Sequence, residues 1–150
     1  LYRGEVPRRV AAYPYWINPF RWHGVVETTD FFQTLPVNSL TPEVDPQSLA
    51  VTLYKPEETA VTQAAKSSYL GRAYLDWAAF PVTETQKLEG DEKGYLVIFR
   101  DLRYVYPETT KRAPLAGYVV LSPMLQVEEE GTDIRKAPLA NEQRSEVGNR

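Results

Sequence analysis

Proline placement, with the change of side-chain period around it, constrains this chain more than any other feature of its sequence. Pro7, Pro14 and Pro19 stand among aromatic residues in the first twenty positions. Their fixed φ and missing N–H favour an extended leading segment over a helix. From Arg21 to Val37 the residues are β-branched or aromatic, with a polar kink at Thr29-Asp30, which predicts a hairpin or one bent strand. Pro42 and Pro46 make 40–47 a loop, and Leu49–Tyr54 reads as a short strand.

The period then changes. Pro56 followed by Glu57 and Glu58 is a helix start, because proline fits a first turn and acidic side chains there oppose the positive end of the helix dipole. The helix is expected to run to about Ala79. Val61, Ala64, Ala65 and Ser68, then Leu70, Tyr74 and Trp77, line faces able to pack on a sheet, with a bend at Gly71. Phe80-Pro81 ends it. Beyond Pro81 the period returns to two: Val82–Glu89, a turn at 90–94 and Tyr95–Tyr106 form a long hairpin. A loop at 107–114 and a strand at 115–121 follow, and the strand resumes at 125–128 after Pro123.

The expected fold is α+β: an antiparallel β-sheet of about five strands with one long or bent helix packed on it. The single domain covers 21–128, with an extended basic and aromatic segment at 1–20 before it and a flexible charged tail at 129–150. At 150 residues a domain buries roughly 70% of the surface its unfolded chain exposes, so a core forms without disulfides.

Composition narrows the chemistry. The chain has no Cys and one His, which removes disulfide frameworks, thiolate nucleophiles, zinc ribbons and most His-built metal sites. No metal site and no cofactor are expected in this fragment. The formal charge of −3 argues against nucleic acid as a partner, since that affinity rests on clustered cations releasing counterions. The charge is uneven: Arg3, Arg8, Arg9 and Arg21 against Glu5 give residues 1–22 a local +3. No apolar run approaches the roughly 20 residues that cross a bilayer, so this fragment is expected to be soluble. It begins at Leu1 rather than Met and is expected to be a piece of a longer protein.

Two groups are candidate ligand-binding residues, and none is assigned as catalytic. The first is the run Tyr13 to His23, in which Trp16, Arg21, Trp22 and His23 are the residues of interest. As function, it makes an aromatic pocket wall, with Arg21 able to fork onto a carboxylate or phosphate and His23 able to move a proton near neutral pH. As structure, it is an aromatic plug closing one end of the sheet, with Arg21 stacked on Trp16 or Trp22. The second is Asp101 with Arg103, two apart on a strand and therefore side by side, with Leu102 and Tyr104 opposite. The structural reading is preferred for both. Glu27 and Asp30, three apart on a bent strand, point in different directions and make no acid/base pair. Glu128, Glu129 and Glu130 read as a solvated strand end.

The run Asn18-Pro19-Phe20-Arg21-Trp22-His23-Gly24-Val25-Val26-Glu27-Thr28, preceded by Tyr13-Pro14, resembles a segment of the YdjM-like membrane-bound metal-dependent hydrolases. Tyr74–Pro81 and Asp101–Tyr104 are similar in order and spacing. The resemblance implies an inner-membrane parent whose N-terminal transmembrane helices hold a divalent metal, with this fragment as the C-terminal domain. On that view its own transmembrane domain is a partner, and Arg3, Arg8 and Arg9 beside a membrane helix would set it facing the cytoplasm. It would cover or support an active site without being catalytic itself. The alternative is a non-catalytic binding or regulatory module whose aromatic groove takes a small-molecule, peptide or lipid ligand, or a partner.

Overall fold

The computed structural model describes residues 4–15, 17–41, 50–89, 94–106 and 114–138. The expected loops at 40–47 and 107–114 and the turn at 90–94 lie largely outside the described residues, as do Trp16 and residues 139–150; the first part of the expected tail is ordered, with 129–131 ending a strand and Ile134–Lys136 forming a 3-10 turn. The chain divides into two compact units: residues up to Pro56 with Val105 and Tyr106, and Glu57–Tyr104 with the described residues from 114 onward.

The first unit is an antiparallel sheet in the order β1-β2-β3-β4. Its strands are β1 (Arg9–Tyr15), β2 (Asn18–Glu27), β3 (Phe31–Asn38) and β4 (Val51–Tyr54). Arg21–Val37 is thus a hairpin, closed at Thr28–Phe31, where the Thr28 hydroxyl donates to the Phe31 carbonyl and accepts its N–H. The residues read as a leading segment supply β1. Pro14 is tolerated because β1 is an edge strand and its register slips at that point. Pro36 likewise falls beyond Thr34, where pairing with β4 ends. Val25 and Val26, on opposite faces, are both buried, and so is Phe31 through Leu35.

The second unit begins with two helices, α1 (Ala60–Ser67) and α2 (Tyr69–Trp77). They are followed by β5 (Pro81–Lys87), β6 (Tyr95–Asp101), β7 (Gly117–Leu121) and β8 (Val127–Gly131), a sheet in the order β5-β6-β7-β8. α1 starts four residues after Pro56, where Thr59 and Thr62 form a capping box. It stops at Ser68, whose backbone is extended (φ −65, ψ 169) and whose N–H closes on Ala65 O. The Ser68 hydroxyl then caps α2 by accepting the Gly71 N–H. The break therefore lies at Ser68 rather than Gly71, and a serine that caps in both directions accounts for it. Gly71 serves a different purpose: a Cβ there would stand 2.1 Å from the Ala65 carbonyl oxygen, so only glycine lets the two helices meet so closely.

Alternation along β6 divides the core of this unit. Val97 and Phe99 join Ala65, Tyr74, Val119 and Leu121 beneath the helices. Leu96 and Ile98 face the other way, with Leu88, Tyr118, Val120 and Ala137. Each fully buried aliphatic or aromatic side chain contributes about 1.5–3 kcal/mol. The fold is thus α+β and antiparallel, as the sequence implies. It differs from the expected single sheet of about five strands with one helix, having among the described residues two sheets of four strands and two short helices. The helix pair is inserted between β4 and β5, and each run of four consecutive strands pairs only within itself.

Candidate functional site

In the first unit, the described residues of the Tyr13–His23 run form the end of the β1–β2 hairpin. Arg21 and His23, two apart on β2, share a face, and Trp22 takes the other. His23 is fully buried, with Tyr13 and Pro36 as its strand partners. Its ring meets Tyr106 edge-on at 5.1 Å, and Tyr106 leans on Tyr15 at 4.9 Å. The exposed Arg21 guanidinium lies over the Tyr15 ring at 5.4 Å, so Tyr15 is one ring partner among the described residues, and Trp22 points away from it. Trp22 is half-buried, opposite Pro14 and Val37. This arrangement suits a half-buried aromatic cluster around the buried His23, beside an exposed rim.

The rim holds what the sequence reading missed. Ile17 is 83% exposed, Leu40 67% and Phe20 49%, and all three lie at the same end of the sheet. Two asparagines build the turns that carry them: Asn18 Oδ1 accepts the Phe20 N–H at 3.0 Å, and Asn38 Oδ1 accepts the Leu40 N–H at 3.0 Å. Ser39 joins the turns, its N–H donating to the Phe20 carbonyl at 2.9 Å. The repeated spacing, Asn followed two residues later by a large apolar side chain, was the available signal, because asparagine side chains readily bond the backbone two residues on. Arg21 is the only charged residue between positions 10 and 26 when His23 is neutral, and 31–41 carry no charge.

At the opposite end of that sheet, the Glu27 carboxylate joins two separate elements. It receives Arg9 of β1 at 2.6 Å and Lys55, just past β4, at 2.7 Å. Lys55 also donates to the Thr28 carbonyl at 2.8 Å. Burial alone would raise the Glu27 pKa, but the hydrogen bonds and charges of Lys55 and Arg9 outweigh it and hold the carboxyl below the usual 4.5.

In the second unit, Asp101 and Arg103 do pair, but not as strand neighbours. β6 ends at Asp101, and Leu102–Tyr104 turns as a 3-10 helix. The cause is the Asp101 carboxylate, whose Oδ1 accepts the Arg103 N–H at 3.0 Å. Oδ2 takes the Ala79 N–H at 2.8 Å and Arg103 Nε at 2.8 Å, while Phe80 N–H reaches Oδ1 at 3.4 Å. The carboxylate side chain is fully buried and is occupied by backbone and guanidinium donors, so it fastens the exit of α2 to the end of β6. Arg103 also donates to the Trp77 carbonyl at 3.2 Å and lies over the Trp77 ring at 4.9 Å, and Trp77 stacks on Tyr104 at 5.8 Å. Beside this group, burial and then the Asp101 charge push the Tyr74 phenol up to about 12, and its hydroxyl donates to the Leu115 carbonyl.

Glu130 is only partly exposed and accepts the Leu70 N–H at the start of α2, so the acidic triple is not wholly a solvated strand end. Among the described residues, no group of three or more His, Cys, Asp or Glu side chains gathers as metal ligands do. No helix among them is long and apolar enough to cross a membrane. Comparison with protein-family models, curated proteins and solved structures found no match to this chain.

Proposed function

We propose that this chain is a non-catalytic binding module whose first unit meets an anionic membrane interface through the exposed end of its β1–β2 hairpin. The observation that carries the reading is the grouping of Ile17, Phe20 and Leu40 at one end of the sheet, exposed and beside Arg21. Large apolar side chains set in water at a loop end favour insertion at an interface. The adjoining guanidinium suits phosphate headgroups. The non-catalytic part rests on Asp101 and Arg103 being engaged in holding α2 to β6. The sequence resemblance gives this module its setting: the C-terminal part of a membrane-bound metal-dependent hydrolase, with metal and reaction in its membrane portion.

Flotation of the full chain with phosphatidylcholine vesicles, with and without phosphatidylglycerol, tests the reading. The wild type is expected to float with the anionic vesicles, and Ile17→Asp with Phe20→Asp to abolish flotation while leaving the melting temperature unchanged. A wild type that stays in solution, or a variant that floats equally well, overturns it.

A further inference from the structure

We infer that Asn18, Asn38 and Ser39 are positioning residues that hold the exposed hairpin end as one preorganised unit; the inference rests on the membrane-binding reading above for its purpose but not for its test. An apolar side chain in a free loop turns back onto the nearest apolar surface, because that removes it from water. Phe20, within β2, and Leu40 are exposed, and each has its backbone N–H engaged locally, the first by Asn18 Oδ1 and the second by Asn38 Oδ1, both at 3.0 Å. The two turns are far apart in sequence yet fastened together: the Ser39 N–H and hydroxyl both donate to the Phe20 carbonyl, at 2.9 and 3.3 Å. The Thr41 N–H closes the second turn on the Asn38 carbonyl at 3.4 Å. Each asparagine Oδ1 is turned onto its own turn. Their contribution is to remove conformations that binding would otherwise have to select against, which strengthens binding without adding a contact.

Amide hydrogen exchange at Phe20 and Leu40 and vesicle flotation, measured on Asn18→Ala, Asn38→Ala and the double variant, test this. Each single variant is expected to accelerate exchange at its own turn and weaken flotation by roughly three- to tenfold, at an unchanged melting temperature. Because Ser39 couples the turns, the double variant is expected to lose little more than either single one. Asn18→Ser and Asn38→Ser, which keep an oxygen acceptor, should recover part of both signals. Unchanged exchange in the single variants overturns the inference, and additive losses overturn the single-unit part of it. Should the wild type fail to float, the membrane reading falls, while the exchange measurements still decide whether these residues organise the hairpin end.

Discussion

The two sheets of this molecule have the same strand count and the same simple order, yet they use charge in opposite ways. In the first unit, Glu27 joins one edge strand to the segment beyond the other through Arg9 and Lys55, with the Arg9, Lys55 and Glu27 side chains 50%, 26% and 16% exposed, so water still reaches the group. In the second, Asp101 is fully buried and fastens backbone N–H groups at the corner between helix and strand. An exposed ion pair is worth about 0–1 kcal/mol because water and salt screen it, whereas removing one partner of a buried pair costs about 3–5 kcal/mol because the other is left uncompensated. The same residue chemistry is therefore adjustable at a sheet edge and indispensable at a buried corner.

Asp101→Ala puts this contrast to its strongest test. It strands the Ala79 and Arg103 N–H groups and the guanidinium together, and a loss of about 3–5 kcal/mol in urea unfolding is expected. A loss below about 1 kcal/mol would place Asp101 with the surface pairs.

Glu27→Gln is expected to cost only about 1 kcal/mol, and less at high salt. If it costs as much as Asp101→Ala, the two units are not held differently. Because the folded-state pKa of Glu27 lies below 4.5, its stabilisation is present above that value. It is lost as pH falls through 4.5 toward the folded-state pKa. The variant should accordingly flatten the acid limb of the stability profile measured by denaturant titration.

A further effect lies at alkaline pH. Tyr74 and Tyr118 are both raised to about 12, Tyr74 chiefly by burial and Tyr118 chiefly by its hydrogen bond to Glu129. The unfolded chain ionises these phenols near 10, so the second unit should lose stability as pH rises from 10 to 12. Tyr118→Phe and Tyr74→Phe should each remove one late step from the ultraviolet titration of tyrosinate. A titration that keeps both steps in the variants would show that other residues carry them.

Much of the second unit was legible in advance. Period two marks Val82 to Tyr106 as a hairpin; Lys87 does pair with Tyr95, but the second strand stops at Asp101, where Leu102–Tyr104 turns as a 3-10 helix. The break between the helices was harder to place: Gly71 is the weaker helix former, but Ser68 can satisfy both helix ends at once. In the first unit, the chemistry of Arg21 and His23, with the ring of Trp22, stands out in the sequence. The residues proposed for binding, Ile17, Phe20 and Leu40, carry no chemistry that a motif search would notice. What distinguishes them is exposure, and a sequence does not print exposure.

By itself, the sequence determined the antiparallel α+β class, the helical window between Pro56 and Pro81, and the absence of thiol chemistry. Each follows from backbone sterics, side-chain period or composition, which act over a few residues. Only the tertiary structure decided that the strands divide into two sheets, that Asp101 reaches back to Ala79, that Glu27 is met by Lys55, and that Phe20 and Leu40 share one exposed end. These depend on hydrogen bonds and ion pairs between residues about twenty or more positions apart. Such contacts are set by how the strands register in space and leave no trace in local periodicity.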